Sequence, residues 1–248
     1  MKSTLFQNKS IIYEQYRPDY PGDLIQILKL KSFLKDDDCI AEFGCGTGKL
    51  TTLLLNNGNK VYGVEPDDEM FDYLQKKFSK KQIFCLYNTN AENSCLPGNS
   101  FDVIISAQAF HLFDVNQARD EFYRIIKKGG YILLLWYFVD KNNSIAKEIR
   151  SLFYRYGKQN YQKRQKINFD TLQEIFYPNS VTYQIISQFE QKYSNREFIN
   201  SMLSSSYAPN QNNSDYVNRA QSIFDKYSGQ VDCIAYDFQI HLYAIQIN

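Results

Sequence analysis

The segment that most constrains this chain is Ala41-Glu42-Phe43-Gly44-Cys45-Gly46-Thr47-Gly48-Lys49-Leu50. A short apolar run stops at Phe43, three glycines follow at alternate positions, and apolar residues at 50, 53 and 54 then take up helical spacing. Glycines in that place serve a backbone that turns sharply and approaches a ligand with no Cβ in the way. Comparable β-rich runs recur at Cys39–Phe43, Lys60–Val64, Gln82–Leu86, Phe101–Ser106 and Tyr131–Phe138, each followed by helix formers or helical spacing. Their nearly continuous apolar character is that of parallel strands covered on both faces.

The expected fold is therefore α/β: a doubly wound, mostly parallel seven-stranded sheet with helical insertions forming a lid. Residues 1–140 read as one doubly wound core. Residues 141–248 read as the completion of the sheet by two late strands, Val181–Phe189 and Val231–Ile247, with the second long enough to bend. Helical patterns at Ser144–Tyr156, Asn195–Leu203 and Ser214–Tyr227 supply the substrate cap, and Gly157–Lys166 is polar and irregular.

Charge narrows the partners. The 248 residues carry 28 basic and 27 acidic side chains, a net charge of +1 that lacks the excess a nucleic-acid surface needs. The longest apolar run, Tyr131–Val139, falls far short of the roughly 20 residues of a spanning helix, so no membrane partner is expected. Met1–Ser10 has no apolar h-region, and no secretory signal is expected. The five cysteines (39, 45, 85, 95 and 233) form no CxxC pair, which reads as reduced thiols in the cytoplasm. No metal is expected, because His111 and His241 stand far apart with no cysteine in ligand spacing. Aromatic residues are plentiful, 20 Tyr, 18 Phe and one Trp.

The spacing of the glycines speaks about the ligand. GxGxG brings the third glycine one residue earlier than the dinucleotide fingerprint, and Gly48-Lys49 is followed by Leu50 rather than the hydroxyl of a Walker A loop. Glu42 beside the loop would repel a phosphate but attract an amino group or a sulfonium. Glu65 ends the second strand, where a carboxylate can accept both hydroxyls of a ribose.

In these features the chain resembles the class I S-adenosylmethionine-dependent methyltransferases, in particular the small-molecule group that includes trans-aconitate methyltransferase. Glu42–Gly48 is similar to the first motif. Gly63-Val64-Glu65-Pro66, followed by Met70, is similar to the second, and Asn90-Ala91-Glu92 with Leu96-Pro97 to the adenine-side loop. Phe101–Phe113 resembles the fourth strand and the segment after it, and Arg124–Gly130 resembles the usual Leu-Lys-Pro-Gly-Gly with Lys in place of Pro. Leu112 stands where many relatives carry Trp, and Ser106-Ala107-Gln108 replaces the Asn-Pro-Pro-Tyr signature of enzymes that act on base amines.

The resemblance implies S-adenosyl-L-methionine as cofactor and S-adenosyl-L-homocysteine as product. It implies contacts from Tyr13, Glu42, Phe43, Gly44, Cys45, Gly46, Thr47, Gly48, Glu65, Pro66, Met70, Asn90, Ala91, Glu92, Ser106, Ala107 and Gln108. The implied reaction is methyl transfer to a small-molecule acceptor, with a carboxylate or hydroxyl oxygen favoured. On the acceptor side His111 is the candidate base. Arg17 is a candidate partner for a carboxylate, and Tyr16 stands beside it on the Ile11–Pro21 flap. The tyrosines clustered at the front and in the second half predict an apolar, Tyr-lined acceptor chamber. The alternatives are a noncatalytic module that binds the same cofactor and a methyltransferase acting on a protein. The oligomeric state stays open between monomer and homodimer.

Overall fold

The computed structural model describes residues 10–157, 161–162, 167–209, 213–229 and 232–248. Most of the polar stretch between Gly157 and Lys166, the position Val231 and residues 1–9 lie outside them. The elements run α1 (Ser10–Tyr16), α2 (Leu24–Leu30), β1 (Cys39–Phe43), α3 (Lys49–Asn56), β2 (Lys60–Val64), α4 (Asp68–Lys77), β3 (Phe84–Tyr87) and β4 (Phe101–Ala107). After a short turn at Phe110–Leu112 come α5 (Val115–Ile125), β5 (Ile126–Val139), α6 (Ile145–Tyr156), α7 (Phe169–Ile175), β6 (Val181–Ser194), α8 (Asn195–Leu203), α9 (Ser214–Ser228) and β7 (Cys233–Gln246).

All seven strands form one sheet in the order β3-β2-β1-β4-β5-β7-β6. The first five are parallel, and β7 pairs antiparallel with both β5 and β6. The expected seven-stranded, mostly parallel α/β fold is the one observed. β1 lies between β2 and β4, so the chain leaves it in opposite directions and a crevice opens at the carboxyl ends of the strands.

Alternation along each strand separates two cores. Leu133, Leu135 and Tyr137 of β5 face the side covered by α2, α3, α6, α8 and α9, whereas Ile132, Leu134 and Trp136 face α5 and α7. β7 continues the first face with Ile234, Tyr236, Phe238 and Ile240. The helix α1 packs on α8, and α8 packs on β6 and α9, so the flap and the late helices meet over one end of the sheet.

Among the elements that differ from the reading of the sequence are β5, β6 and α7. β5 begins at Ile126 rather than Tyr131, because the Lys-Lys-Gly-Gly stretch forms an irregularity against β4 instead of a loop, with Gly129 at φ +81°. β6 runs on to Ser194 because the long β7 stays paired with it throughout, past a register shift between Ile185 and Ser187. The helix α7, unmarked in the periodicity, is capped by Asn168, whose side chain accepts from the Thr171 N–H at 3.0 Å.

Candidate cofactor and acceptor site

β1 ends at Phe43, and the chain turns over Gly44 (φ +74°) and Gly46 (φ +58°), conformations that glycine adopts without strain. A Cβ on Gly44 would lie 2.4 Å from that of Ala109, so this glycine lets the turn lie against the segment after β4. A Cβ on Gly46 would meet only Tyr13, at 3.9 Å, which leaves its backbone facing open space. The Gly44 and Cys45 N–H groups donate to the Val64 carbonyl at 2.9 and 3.4 Å, tying the turn to the end of β2.

Two buried carboxylates face this turn. Glu65 accepts from the Gly46 N–H at 2.8 Å through Oε2 and from the Asp67 N–H at 3.0 Å through Oε1. Burial, with the Asp67 charge added, lifts it to about 7. Glu42 accepts from Thr51 Oγ1 at 2.7 Å, and burial, with the Glu65 charge nearby, lifts it to about 8. Neither forms an ion pair among the described residues. A cationic ligand would stabilise the ionised form of both.

A cavity of about 400 Å³ opens between the turn, the end of β2 and the segment after β4. It brings together eleven of the expected residues: Tyr13, Gly44, Gly46, Glu65, Pro66, Met70, Asn90, Ala91, Glu92, Ala107 and Gln108. A second cavity of about 30 Å³ shares Tyr13, Gly44, Gly46 and Ala107 and adds Glu42, Cys45, Thr47, Tyr20 and Tyr137.

Residues 41–134 match the methyltransferase domain family. An uncharacterized methyltransferase of Mycobacterium tuberculosis is 34% identical over 145 residues, covering 58% of this chain and 57% of the relative. A probable S-adenosylmethionine-dependent methyltransferase of Saccharomyces cerevisiae is 26% identical over 165 residues, 63% of this chain and 56% of its own. The chain thus spans a little over half the length of the curated relatives it matches. Over residues 41–134 the chain is thus similar to methyltransferase domains. Solved structures extend the likeness of fold beyond the matched residues. A phosphoethanolamine N-methyltransferase of Haemonchus contortus, in complex with phosphomonomethylethanolamine and S-adenosylhomocysteine, superposes with a TM-score of 0.59 at 18% identity, covering 98% of this chain and 58% of that one. The YcgJ protein of Bacillus subtilis superposes with a TM-score of 0.58 at 18% identity, covering 90% and 98%.

Not every expected residue of the methyltransferase domain reaches the cavities. Phe43 alternates with Glu42 and so points to the opposite face, where its ring lies 4.7 Å from that of Phe122. Ser106 is buried and donates from Oγ to the Phe43 carbonyl at 3.1 Å, which joins β4 to β1. Gly48 begins α3 against Phe78. These three shape the site without lining it.

His111, the expected base, is buried and lines neither cavity. Its Nδ1 accepts from the Trp136 Nε1–H at 3.3 Å, and Trp136 faces the side of the sheet opposite Tyr137. Tyr16 also lines neither cavity.

The sequence reading passed over Ala109, Phe113, Asp114 and Gln117 in the large cavity and Tyr137 in the small one; Leu112 and Tyr20, which it had singled out, line the large and the small cavity. Asp114 carried a legible signal as the N-cap of α5, accepting from the Gln117 N–H at 3.1 Å; its own N–H donates to Glu92 at 2.7 Å and fixes the cavity wall. Gln108 carries backbone strain at φ +59°, held by its N–H on the Leu135 carbonyl at 2.9 Å and its side chain on the Tyr137 carbonyl at 3.1 Å.

The flap lies outside the matched residues but is fastened to the methyltransferase domain. Lys77 donates to Glu14 at 2.8 Å and to the Thr47 carbonyl at 3.0 Å, and Lys49 pairs with Asp19. This places Tyr13 over Gly46 and the Arg17 guanidinium 5.4 Å from the centre of the Tyr13 ring.

Proposed function

We propose that this chain is an S-adenosylmethionine-dependent methyltransferase that acts on an oxygen atom of a small molecule in the cytoplasm. The observation that carries the reading is the pairing of two buried carboxylates, Glu65 and Glu42, with an open glycine turn at one crevice. Glu65 suits the ribose hydroxyls and Glu42 the amino group, while Met70 and Ala91 give apolar contact and Asn90 and Glu92 polar contact. When bound, the cofactor supplies an electrophilic methyl on a sulfonium. Tyr13, Tyr20 and Tyr137 offer π faces to that cation and exclude water beside it. Holding donor and acceptor in line is worth roughly 7–11 kcal/mol of the barrier.

No histidine lines either cavity, and Glu65 and Glu42 are already bonded to loop and helix donors. That favours an acceptor oxygen needing little help in losing a proton, such as a carboxylate or an acidic hydroxyl. The five unpaired cysteines fit a reducing compartment.

Calorimetry with S-adenosylhomocysteine tests the reading. The wild type is expected to bind, with Gly46→Val and Glu65→Ala weakened at least tenfold through the blocked backbone and the lost charged hydrogen bonds. Failure of the wild type to bind, or unchanged binding in both variants, overturns it. Binding without release of S-adenosylhomocysteine from S-adenosylmethionine and a metabolite extract would instead support the noncatalytic module.

A further inference from the structure

We propose that Arg17, Tyr193 and Tyr236 form a recognition set for one anionic group, and that the methyl acceptor is a monoanion with a flat apolar body. The word acceptor rests on the methyl-transfer reading; the anion site does not. Arg17 Nε is buried with no hydrogen-bond partner, and no ion pair to Arg17 forms among the described residues. The groups that bear on its charge are tyrosines: Tyr137, Tyr13, Tyr207 and Tyr193. The Tyr193 and Tyr236 hydroxyls are likewise buried without a hydrogen-bond partner, in residues that are each 2% exposed. Their rings stack at 5.3 Å, and the two hydroxyls and Ser201 are close enough to interact, but neither hydroxyl reaches the geometry of a full hydrogen bond.

Buried polar groups are normally bonded, and one left open is costly. Three open groups on one face of a sheet, one of them on a guanidinium that only donates, call for an acceptor of hydrogen bonds with negative charge. Ring contacts join them to the cofactor turn: Tyr236 to Phe238 at 5.2 Å, Phe238 to Tyr137 at 5.6 Å, and Tyr137 to Tyr20 at 5.9 Å. Tyr137 and Tyr20 line the small cavity together with Glu42 and Gly46. Arg17 lines neither cavity, but its guanidinium lies 5.4 Å from the centre of the Tyr13 ring, which lines both, so an anion on Arg17 lies beside the turn along a wall of aromatic faces suited to a flat ligand.

The charge count limits the ligand to one negative charge. Lys49 and Lys77 are engaged by Asp19 and Glu14, and the nearest buried acids, Glu42 and Glu65, would repel a second anion. The small cavity holds about 30 Å³, room for roughly one water, so a larger body requires it to widen.

The test uses the full chain saturated with S-adenosylhomocysteine, titrated at constant ionic strength with phenylacetate and with its neutral analogue phenylacetamide. Phenylacetate is expected to bind and the amide not. Tyr193→Phe and Tyr236→Phe are each expected to weaken phenylacetate about tenfold and Arg17→Gln to abolish its binding, the loss of charged hydrogen bonds. The ligand-free melting temperature of the two Phe variants is expected to stay level or rise, because the hydroxyls removed had no partner. Equal binding of the two probes, no phenylacetate binding by the wild type, unchanged binding in the variants, or a lower ligand-free melting temperature in both Phe variants overturns the anion site. Normal S-adenosylhomocysteine binding in those samples leaves the methyl-transfer reading standing, whereas its absence in the wild type overturns that reading separately.

Discussion

The cofactor turn and the tyrosine chamber share one face of the sheet but are built on opposite terms. In the turn, Glu65 has two backbone donors and Glu42 has the Thr51 hydroxyl, so both carboxylates are held before a ligand arrives. In the chamber, Arg17 Nε and the hydroxyls of Tyr193 and Tyr236 are buried and open. The turn is contiguous in sequence and sits inside the matched residues 41–134, whereas Arg17 just after α1, Tyr137 near the end of β5, Tyr193 of β6 and Tyr236 of β7 lie outside them. A turn whose carboxylates are already bonded thus adjoins tyrosines whose hydroxyls are open.

The largest effect expected from disturbing this arrangement is on the turn. Gly44→Val drives a side chain against Ala109 at a φ of +74° and should cost about 2–6 kcal/mol of stability, combining backbone strain with overpacking. Urea unfolding measures it, and a loss under 1 kcal/mol would mean the turn is looser than drawn.

The opposite face of the sheet gives the next test. His111→Ala leaves the buried Trp136 Nε1–H without its acceptor and should lower stability by about 1–3 kcal/mol. S-adenosylhomocysteine affinity should stay within about threefold of wild type, and any acceptor turnover should keep its pH profile. A lost pH limb would mark His111 as a base.

The raised carboxylates set a pH dependence whose sign is determined. Glu42 lies at about 8 and Glu65 at about 7 in the folded protein, both above the ordinary 4.5, so the folded state holds protons that the unfolded state releases. Stability of the ligand-free protein is full below pH 4.5 as far as these groups are concerned and is lost as pH rises towards 8, by at most about 1.4 kcal/mol per pH unit for each group. Glu42→Gln should flatten that slope in melting curves. Cofactor affinity should run the other way, strengthening from pH 6 to 8 as the carboxylates ionise beside a cation.

The smallest effect concerns the fastening of the flap. Asp19 is 83% exposed, so Asp19→Asn should change stability by less than about 1 kcal/mol. Lys77→Met, which removes both the Glu14 pair and the bond to the Thr47 carbonyl, should exceed it in the same melting assay.

The parallel half of the sheet was readable because its signals are local. The bounds of β1 and β2 agree residue for residue with the apolar runs Cys39–Phe43 and Lys60–Val64, which break at glycine or proline. The helix α8 agrees equally well, and Ser194 with Glu197 closes its start as a capping box. β5 and β6 were misjudged in length because their ends depend on partners distant in sequence: β4 accommodates the irregularity at Gly129, and β7 keeps β6 paired to Ser194. The glycine turn and its two acids were legible for the same reason as β1. Tyr193 and Tyr236 were not, since nothing near them in the chain distinguishes them from the other tyrosines.

The sequence by itself determined a strand, a glycine turn and a helix, an acid at the end of the next strand, and a nearly balanced charge. Each follows from backbone sterics or from counting charges, which neighbours in the chain suffice to decide. The tertiary structure alone decided on which side of the sheet each residue falls. One step of strand alternation sends Trp136 to His111 and Tyr137 to the cofactor turn, and Phe43 to the core while Glu42 stays at the turn. That single step, with the antiparallel return of β6 and β7, brings Tyr193 and Tyr236 to the same face as Arg17, because side chains on one face of a sheet share an environment however far apart they lie in sequence.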